Sequence, residues 1–221
     1  MEEPQKFIVV PWDFTPVAEH ALAHAVKIAR MVKNDVCLLH IVDPGIKKNV
    51  EGEKKILLQH VATEAGKKHF MTISSEIVKG SIFTSIAEFV NDKDASLVVM
   101  GTHGMKGMQK LTGSWALKVI VKSKVPFIVI QDPPADQNRY HNIVFPVDFR
   151  RENKEKTKMA IYMGKYFESK IHMMVSATTD KSLAKKTKIN LNFAIKYLIQ
   201  NNIDYEIHEV PKGNFAQQTI D

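Results

Sequence analysis

The sequence predicts an α/β protein built on a parallel, doubly wound sheet, and three observations support that fold class. Short apolar segments rich in β-branched residues alternate with longer segments whose apolar residues recur at helical spacing. Residues 36–42 are apolar except for His40, which is typical of a strand buried on both faces of a parallel sheet. Strands and helices also follow each other singly along the chain, as they do where helices connect parallel strands.

The individual elements of the first half can be placed from these patterns. The predicted strands are residues 7–10, 36–42, 75–78, 96–100 and 126–130. The predicted helices are one beginning at Pro16, one marked by apolar residues between Ile56 and Ala65, and two at residues 82–90 and 115–121. Thr15 suits the cap position of the first helix, because a hydroxyl can accept a hydrogen bond from a free backbone N–H there. Pro16 suits the first helical position.

The chain contains an internal repeat. Residues 8–14, IVVPWDF, recur 135 positions later as residues 143–149, IVFPVDF. At the same offset, residues 25–41 align without a gap on residues 160–176, and apolar positions match through most of that stretch. A period of this length indicates a duplicated domain rather than a solenoid.

The boundary between the two copies falls in a polar, proline-containing segment at residues 131–137, which has the composition of a linker. We therefore predict a first domain at residues 1–134 and a second at residues 138–221. The second copy stops shortly after Gly213, whereas the first continues for about fifty residues beyond the matching Gly80. The second domain is thus expected to be an incomplete, truncated copy of the first.

Composition narrows the class of protein. The 221 residues are 44% hydrophobic and 25% charged, and no apolar run is long enough to span a bilayer. Cys37 is the only cysteine, so no internal disulfide can form, and the cytoplasm is the expected location. The net charge of +7 comes from scattered lysines without interleaved aromatic residues. This favours solvated helix faces over a nucleic-acid surface.

A glycine-rich segment follows the fourth predicted strand: residues 100–114 read MGTHGMKGMQKLTGS. In a parallel sheet, ligands bind beyond the carboxyl ends of strands, at the point where the strand order reverses. A second polar strand end, Pro11-Trp12-Asp13, follows the first strand. The sequence leaves two interpretations of the glycines, a phosphate-binding loop and an ordinary strand-to-helix turn.

With these motifs the chain resembles the universal stress protein family in its tandem two-domain form. The matching segments are VVPWDFT after the first strand, LLHIVDP at the second, VVMGTHG with Gly113-Ser114 after the fourth, and VPFIVIQ at the fifth. The resemblance covers residues 5–131 well and residues 140–213 more weakly. It implies a five-stranded sheet in the order 3-2-1-4-5, so that strands one and four are neighbours.

The resemblance also implies an ATP site at that edge. Asp13 would accept hydrogen bonds from ribose or adenine, and Ile41 would flank the base. Gly101 and Gly104 would turn the loop past the phosphates, and Gly113 and Ser114 would donate hydrogen bonds to them. The full set of expected nucleotide-binding residues is Pro11, Trp12, Asp13, Ile41, Met100, Gly101, Thr102, Gly104, Gly113, Ser114 and Trp115.

This chain departs from the family pattern Gly-x2-Gly-x9-Gly-(Ser/Thr) at two points. Eight residues, not nine, separate Gly104 from Gly113, and Trp12 stands where the family usually has a small residue. The indole can stack on a base or fill the pocket. The second copy keeps Pro146 and Asp148, but no glycine loop follows them. Its expected role is to pair with the first domain, or with another chain, as the family's dimers do.

Two functions follow from these features. The first is a stress-response protein that binds ATP in its first domain, with little or no catalysis, because neither a general base nor a metal cluster is evident. The second is an interaction module of the same fold that binds no nucleotide. His20 and His24, four residues apart on a helix, are a candidate metal pair, but two ligands rarely suffice. We assign neither a catalytic residue nor a metal site from the sequence.

Overall fold

A computed structural model of the protein describes residues 6–102, 118–134, 140–211, 215 and 219, and it divides the chain into two compact units. Unit 1 comprises Met1–Asp136 and unit 2 comprises Gln137–Asp221. Each unit has its own parallel sheet. Among the described residues, no helix is both long enough and apolar enough to cross a membrane.

Strands and helices alternate in unit 1, as the sequence pattern predicts. The strands are β1 (Phe7–Pro11), β2 (Asp35–Val42), β3 (Ile73–Lys79), β4 (Leu97–Gly101) and β5 (Phe127–Ile130). The helices are α1 (Pro16–Val32), α2 (Lys48–His69) and α3 (Ile82–Asp92), and residues 118–120 are also helical. Thr15 caps α1, since its side chain accepts a hydrogen bond from the Ala18 N–H.

The sheet of unit 1 has the order β3-β2-β1-β4-β5, with every pair parallel, which confirms the predicted fold class and strand order. Val9 lies between Cys37 of β2 and Val98 of β4 in the register. The chain therefore runs outward from β1 to β3 on one side and resumes at β4 on the other. The strand order reverses between β1 and β4, and this reversal creates a cleft at their carboxyl ends.

Helices cover both faces of this sheet. On one face, Ile86 and Val90 of α3 pack in a cluster with Val9, Cys37 and other buried side chains. Successive residues of a strand point to opposite faces. The strand residues that alternate with those of the α3 cluster therefore face α1 and α2. The hydrogen bond between His40 of β2 and Lys54 of α2 is an example. Because both faces are covered, Ile8, Val9 and Val10 are all fully buried, which accounts for the apolar strands.

Unit 2 contains three parallel strands in the order β6-β7-β8 within the described part of the chain. They are β6 (Asn142–Val147), β7 (Lys170–Ser176) and β8 (Tyr205–Val210), and the helices are α4 (Asn153–Phe167) and α5 (Lys181–Gln200). The neighbours of β7 are its predecessor and its successor, as they are for β2 in unit 1. Ala160 of α4 and Leu198 of α5 pack on the same sheet face, against Ile171 and Met173.

Candidate functional site

The cleft between β1 and β4 brings two polar strand ends together. Trp12 and Asp13 directly follow β1, and Thr102 directly follows β4. The two strands are paired in parallel, so their carboxyl ends lie at the same edge of the sheet. Backbone hydrogen bonds continue past both ends: Trp12 N donates to Leu39 O at 2.8 Å, and Thr102 N donates to Ile130 O at 2.8 Å. The edge is therefore anchored to both neighbouring strands.

A pocket of about 140 Å³ lies at this edge. Six of the residues predicted from the sequence line it, namely Pro11, Trp12, Asp13, Ile41, Met100 and Gly101. Pockets for whole small-molecule ligands usually measure roughly 300–1,000 Å³, so this one has room for part of a nucleotide, such as its base. The remaining lining residues are Ala18, Leu39, His40, Ile82 and Ile86.

Those remaining residues show what sequence reasoning missed. Ala18 is on α1, and Ile82 and Ile86 are on α3, so two helices on opposite faces of the sheet contribute to one pocket. Their apolar spacing assigns them to helix core faces, and nothing in that pattern separates a core contact from a pocket wall. Leu39 lies two positions before the predicted Ile41 on β2, so the two side chains point to the same face of the strand. This alternation could have identified Leu39 as a pocket residue.

Asp13 is exposed and held in a fixed orientation. Its Oδ1 accepts a hydrogen bond from the Thr15 backbone N–H at 3.1 Å and another from the Thr15 hydroxyl at 2.6 Å. The same hydroxyl oxygen accepts the Ala18 N–H at 3.4 Å. Because these bonds fix one carboxylate oxygen at the N-terminus of α1, the group is preorganised to accept hydrogen bonds from a ligand's hydroxyl or amino groups. Its negative charge does not suit a phosphate.

His40 stands beside the pocket with both ring nitrogens engaged. Its Nδ1 contacts the Trp12 carbonyl oxygen at 2.6 Å, and its Nε2 contacts the Lys54 ammonium at 3.1 Å. A carbonyl can only accept and an ammonium can only donate, so the proton of His40 is on Nδ1. Burial is the main influence on this imidazole, and it lowers the pKa of His40, while the Trp12 carbonyl acts in the opposite direction. His40 is thus a neutral, satisfied core residue.

Trp12 is almost completely buried, with 5% of its surface exposed. Its ring lies edge-on to Phe14, at 6.4 Å between centroids, and Phe14 in turn lies 5.0 Å from His40. The indole Nε1–H is buried and has no hydrogen-bond partner among the residues that the structure describes. A buried donor of this kind carries a desolvation penalty of about 1–3 kcal/mol, which a ligand acceptor would remove.

Gly101 has a packing role that does not depend on any ligand. A Cβ atom at this position would lie 2.5 Å from the Val17 carbonyl oxygen and 2.7 Å from Val17 Cγ1. Since real Cβ atoms do not approach other atoms so closely, the glycine is required for β4 to pack against α1. The structure thereby supports the turn-and-packing interpretation for this glycine of the loop.

The other predicted loop residues, Gly104, Gly113, Ser114 and Trp115, lie outside the described residues. His20 and His24, the candidate metal pair, both contact the segment after β5. His20 Nδ1 lies 3.4 Å from the Gln131 carbonyl oxygen, and His24 Nε2 lies 3.2 Å from the Asp132 carbonyl oxygen. One ring nitrogen of each histidine thus contacts a backbone carbonyl oxygen of that segment and connects it to α1.

Unit 2 carries Asp148 where unit 1 carries Asp13, but its surroundings differ. Asp148 Oδ1 accepts hydrogen bonds from the Arg150 backbone N–H at 2.9 Å and from the Asn153 side chain, and Arg150 Nε lies 3.3 Å from Oδ2. Asn190 of α5 donates to the Asp148 carbonyl oxygen at 2.8 Å. Both carboxylate oxygens are engaged within unit 2, and the Asp148 side chain is only 14% exposed.

Comparisons with known proteins agree with this architecture. Residues 6–131 match the Universal stress protein family. Over 145 residues, the chain is 33% identical to the universal stress protein MJ0531 of Methanocaldococcus jannaschii, an alignment covering 60% of this chain and 85% of that protein.

One solved structure shows a similar fold over nearly the whole chain. The crystal structure of a universal stress protein from Archaeoglobus fulgidus DSM 4304 has a TM-score of 0.77 at 14% identity, covering 98% of this chain and 82% of that one. A universal stress protein from Archaeoglobus fulgidus in complex with dAMP is 23% identical, covering 57% of this chain and 98% of that one. Its TM-score is 0.47, and the bound dAMP is a property of that protein.

Proposed function

Because this chain belongs to the universal stress protein family, we propose that unit 1 binds ATP at the cleft between β1 and β4. The observation that carries the proposal is the convergence around one pocket of six residues that the family resemblance implies. They come from β1, β2 and β4 and the segment after β1, and they meet where parallel sheets bind ligands.

The chemistry of the pocket-lining residues indicates which part of the nucleotide each of them contacts. Ile41 and Met100 are half-buried apolar side chains, suited to the faces of an adenine ring. Asp13 accepts hydrogen bonds from ribose hydroxyls or from the adenine amino group, because its carboxylate is oriented and exposed. The phosphates then extend away from this negative charge, toward the segment that begins at Thr102. The family pattern assigns Gly104, Gly113 and Ser114 to the phosphates.

We propose binding rather than turnover as the activity. Hydrolysis needs a base that can take a proton from water, within hydrogen-bond reach of the reacting group. Among the residues that the structure describes, His40 is the imidazole that lines the pocket, and Trp12 and Lys54 engage both of its nitrogens. Asp13 lies at the proposed ribose end, away from the terminal phosphate. Cys37 is buried beneath α3, and burial raises the pKa of its thiol to about 11, so it is not a nucleophile.

A second candidate function is an interaction module without a nucleotide. The pocket is small, Trp12 occupies part of this region, and Gly101 is explained by its contact with Val17. In this alternative, residues 1–134 and 138–221 are two domains that act by pairing, within one chain or between two chains. Either function is compatible with the cytoplasm, the proposed location, where a single unpaired cysteine stays reduced.

Calorimetric titration of the full chain with ATP distinguishes the two. The nucleotide proposal expects saturable heat when ATP binds the wild type. Asp13→Asn is expected to weaken the affinity for ATP by roughly 10- to 100-fold, the cost of losing a charged hydrogen-bond partner. The matched control is Asp148→Asn, at the equivalent position of unit 2, which leaves ATP affinity unchanged. Absence of both binding heat and thermal shift at millimolar ATP would contradict the nucleotide proposal and favour the interaction module. Gly113→Val separates the two again: the nucleotide proposal expects this change to abolish ATP binding, and the interaction module expects it to leave partner binding intact.

A further inference from the structure

The face of the unit 2 sheet opposite α4 and α5 carries a polar cluster. Side chains alternate between the two faces along each strand. Ile171 and Met173 of β7 are buried against α4 and α5, so the residue between them, His172, points to the second face. The cluster consists of His172 on β7 with Glu206 and His208 on β8. Their side chains are 22%, 47% and 43% exposed. The face is therefore accessible from solvent at these three residues.

The corresponding face of unit 1 is built differently. His172 lies 135 positions after Cys37, which is buried beneath α3. Cys37 pairs in register with Ser74 of β3, whereas His172 pairs with Glu206 of β8. The duplication alone would have placed a small apolar thiol and a hydroxyl here. The imidazole and the carboxylate are features of unit 2 alone, so they need an explanation that belongs to unit 2.

The three side chains place one ligand atom each around a common point. His172 Nδ1 lies 3.1 Å from His208 Nε2 and 3.4 Å from Glu206 Oε2, and His208 Nε2 lies 3.6 Å from Glu206 Oε2. Ligands bound tetrahedrally at about 2.0–2.1 Å from a metal are roughly 3.3–3.4 Å apart. The mean of the three separations falls at that value, so the triangle already has the size of one face of such a coordination shell.

Two neighbouring residues orient these atoms. His172 Nε2 lies 3.0 Å from Asn142 Oδ1, and an amide oxygen can only accept, so the His172 proton is on Nε2. The Nδ1 lone pair therefore points toward His208 and Glu206. Lys170 donates a hydrogen bond to Glu206 Oε1 at 2.5 Å, which leaves Oε2 on the side of the imidazoles. Outer partners of this kind fix the orientation of metal-binding histidines and carboxylates in known sites.

We propose that His172, Glu206 and His208 bind a divalent transition-metal ion on the face of the unit 2 sheet opposite α4 and α5, and that the ion is Zn²⁺. Two imidazoles and one carboxylate are a ligand set that Zn²⁺ uses, whereas Mg²⁺ and Ca²⁺ select oxygen ligands. Before metal binds, the 3.1 Å contact is a hydrogen bond from His208 Nε2–H to His172 Nδ1. Binding moves the His208 proton to Nδ1, and water takes the fourth coordination position.

The proposal does not depend on the nucleotide site, because every residue involved belongs to unit 2. It also connects β7 to β8 through side chains, in addition to the backbone ladder between them. The ion is then expected to stabilise the β7–β8 pair. Lys170 works against the ion by its charge, so Lys170→Gln is expected to strengthen Zn²⁺ binding as long as the amide still bonds to Glu206 Oε1.

Titration of the full chain with Zn²⁺, followed by calorimetry and by Co²⁺ absorption spectra, tests the proposal. The wild type is expected to bind about one Zn²⁺ in the tightest class of sites and to give the intense visible bands of tetrahedral Co²⁺. His172→Ala and His208→Ala each abolish those bands and weaken Zn²⁺ binding at least 10-fold. Asn142→Ala weakens it about 10-fold, the usual effect of removing an outer partner.

Two histidine variants serve as controls. His141→Ala removes an exposed imidazole next to β6, and His20→Ala removes the candidate ligand on α1; both leave the Co²⁺ spectrum and the Zn²⁺ affinity unchanged. Circular dichroism verifies that each variant is folded. The proposal is overturned if the double variant His172→Ala/His208→Ala binds Zn²⁺ as tightly as the wild type. A loss of binding in His20→Ala instead, or equal affinity for Mg²⁺, overturns it as well.

Discussion

The carbonyl oxygen of Val17 lies 2.5 Å from the point where a Cβ atom of Gly101 would be. The end of β4 and the first turn of α1 are thus in direct backbone contact at the edge of the pocket. This contact lies next to the segment that carries Trp12 and Asp13, because α1 begins just after that segment. A glycine recognised as part of a nucleotide motif therefore also determines how helix and sheet pack.

Gly101→Ala is expected to destabilise unit 1 by roughly 1–3 kcal/mol, the typical effect of forcing one extra methyl group into a packed interior. Urea unfolding measures this difference. Gly52→Ala is the matched control, since a Cβ at Gly52 in α2 meets nothing within 4 Å. That change should stabilise the protein by up to about 1 kcal/mol, because alanine is the better helix former. Equal effects of the two variants would contradict the packing role of Gly101.

Thr15→Ala is expected to cost about 1 kcal/mol of stability, because α1 loses the side chain that accepts the Ala18 N–H. It also removes the hydroxyl that bonds to Asp13 Oδ1, so under the nucleotide proposal it weakens ATP binding although Thr15 touches no ligand. Thr15→Ser keeps both bonds and is the control. Thermal unfolding and ATP titration together check the prediction, and loss of stability with unchanged affinity would leave Thr15 as a cap only.

His40 is expected to make the protein less stable in mild acid. Burial lowers the pKa of His40 in the folded state below the unperturbed value of 6.5. Between 6.5 and the lower folded pKa, the unfolded chain binds the proton more readily than the folded one, so the free energy of unfolding falls as pH falls through that window. His40→Asn keeps a donor for the Trp12 carbonyl but does not titrate. Urea unfolding at pH 7 and pH 5 should show a smaller decrease for this variant than for the wild type.

Cys37 is expected to be inert in the folded protein. It is 3% exposed, and burial raises the pKa of its thiol to about 11, so the reactive thiolate is a minor species at pH 8. Reaction with Ellman's reagent at pH 8 should be negligible for native protein and should release one equivalent per chain in denaturant. Rapid reaction of the native protein would show that α3 opens from the sheet more readily than its packing indicates.

The order of elements in unit 1 was predictable from the sequence because burial on both sheet faces leaves a continuous apolar signal in each strand. The bounds of β2, predicted at residues 36–42, differ by one residue from those observed. The pairing of β1 with β4, residues far apart in the chain, required the family resemblance, since apolar periodicity carries no information about which strands are neighbours. The pocket residues Ile41 and Met100 were likewise implied by the family resemblance.

The cluster of His172, Glu206 and His208 shows the limit of sequence reasoning most clearly. Lys170-Ile171-His172 and Glu206-Ile207-His208 have the same pattern of a charged residue, isoleucine and histidine, which in retrospect was a signal. The alternation of side chains along each strand could predict that both histidines point to the sheet face opposite α4 and α5. It could not determine the register of β7 against β8, which pairs His172 with Glu206 and brings the two imidazoles within 3.1 Å.

The sequence by itself determined the alternation of strands and helices, the duplication, and the two polar strand ends of unit 1. These are local properties, because apolar spacing and turn residues act over a few neighbours in the chain. Only the tertiary structure decided that Gly101 must be small, that Trp12 and Lys54 are the partners of His40, and that three side chains of unit 2 converge on one point. Each of these depends on contacts between residues distant in the chain, whose separation is set by packing and register rather than by sequence spacing.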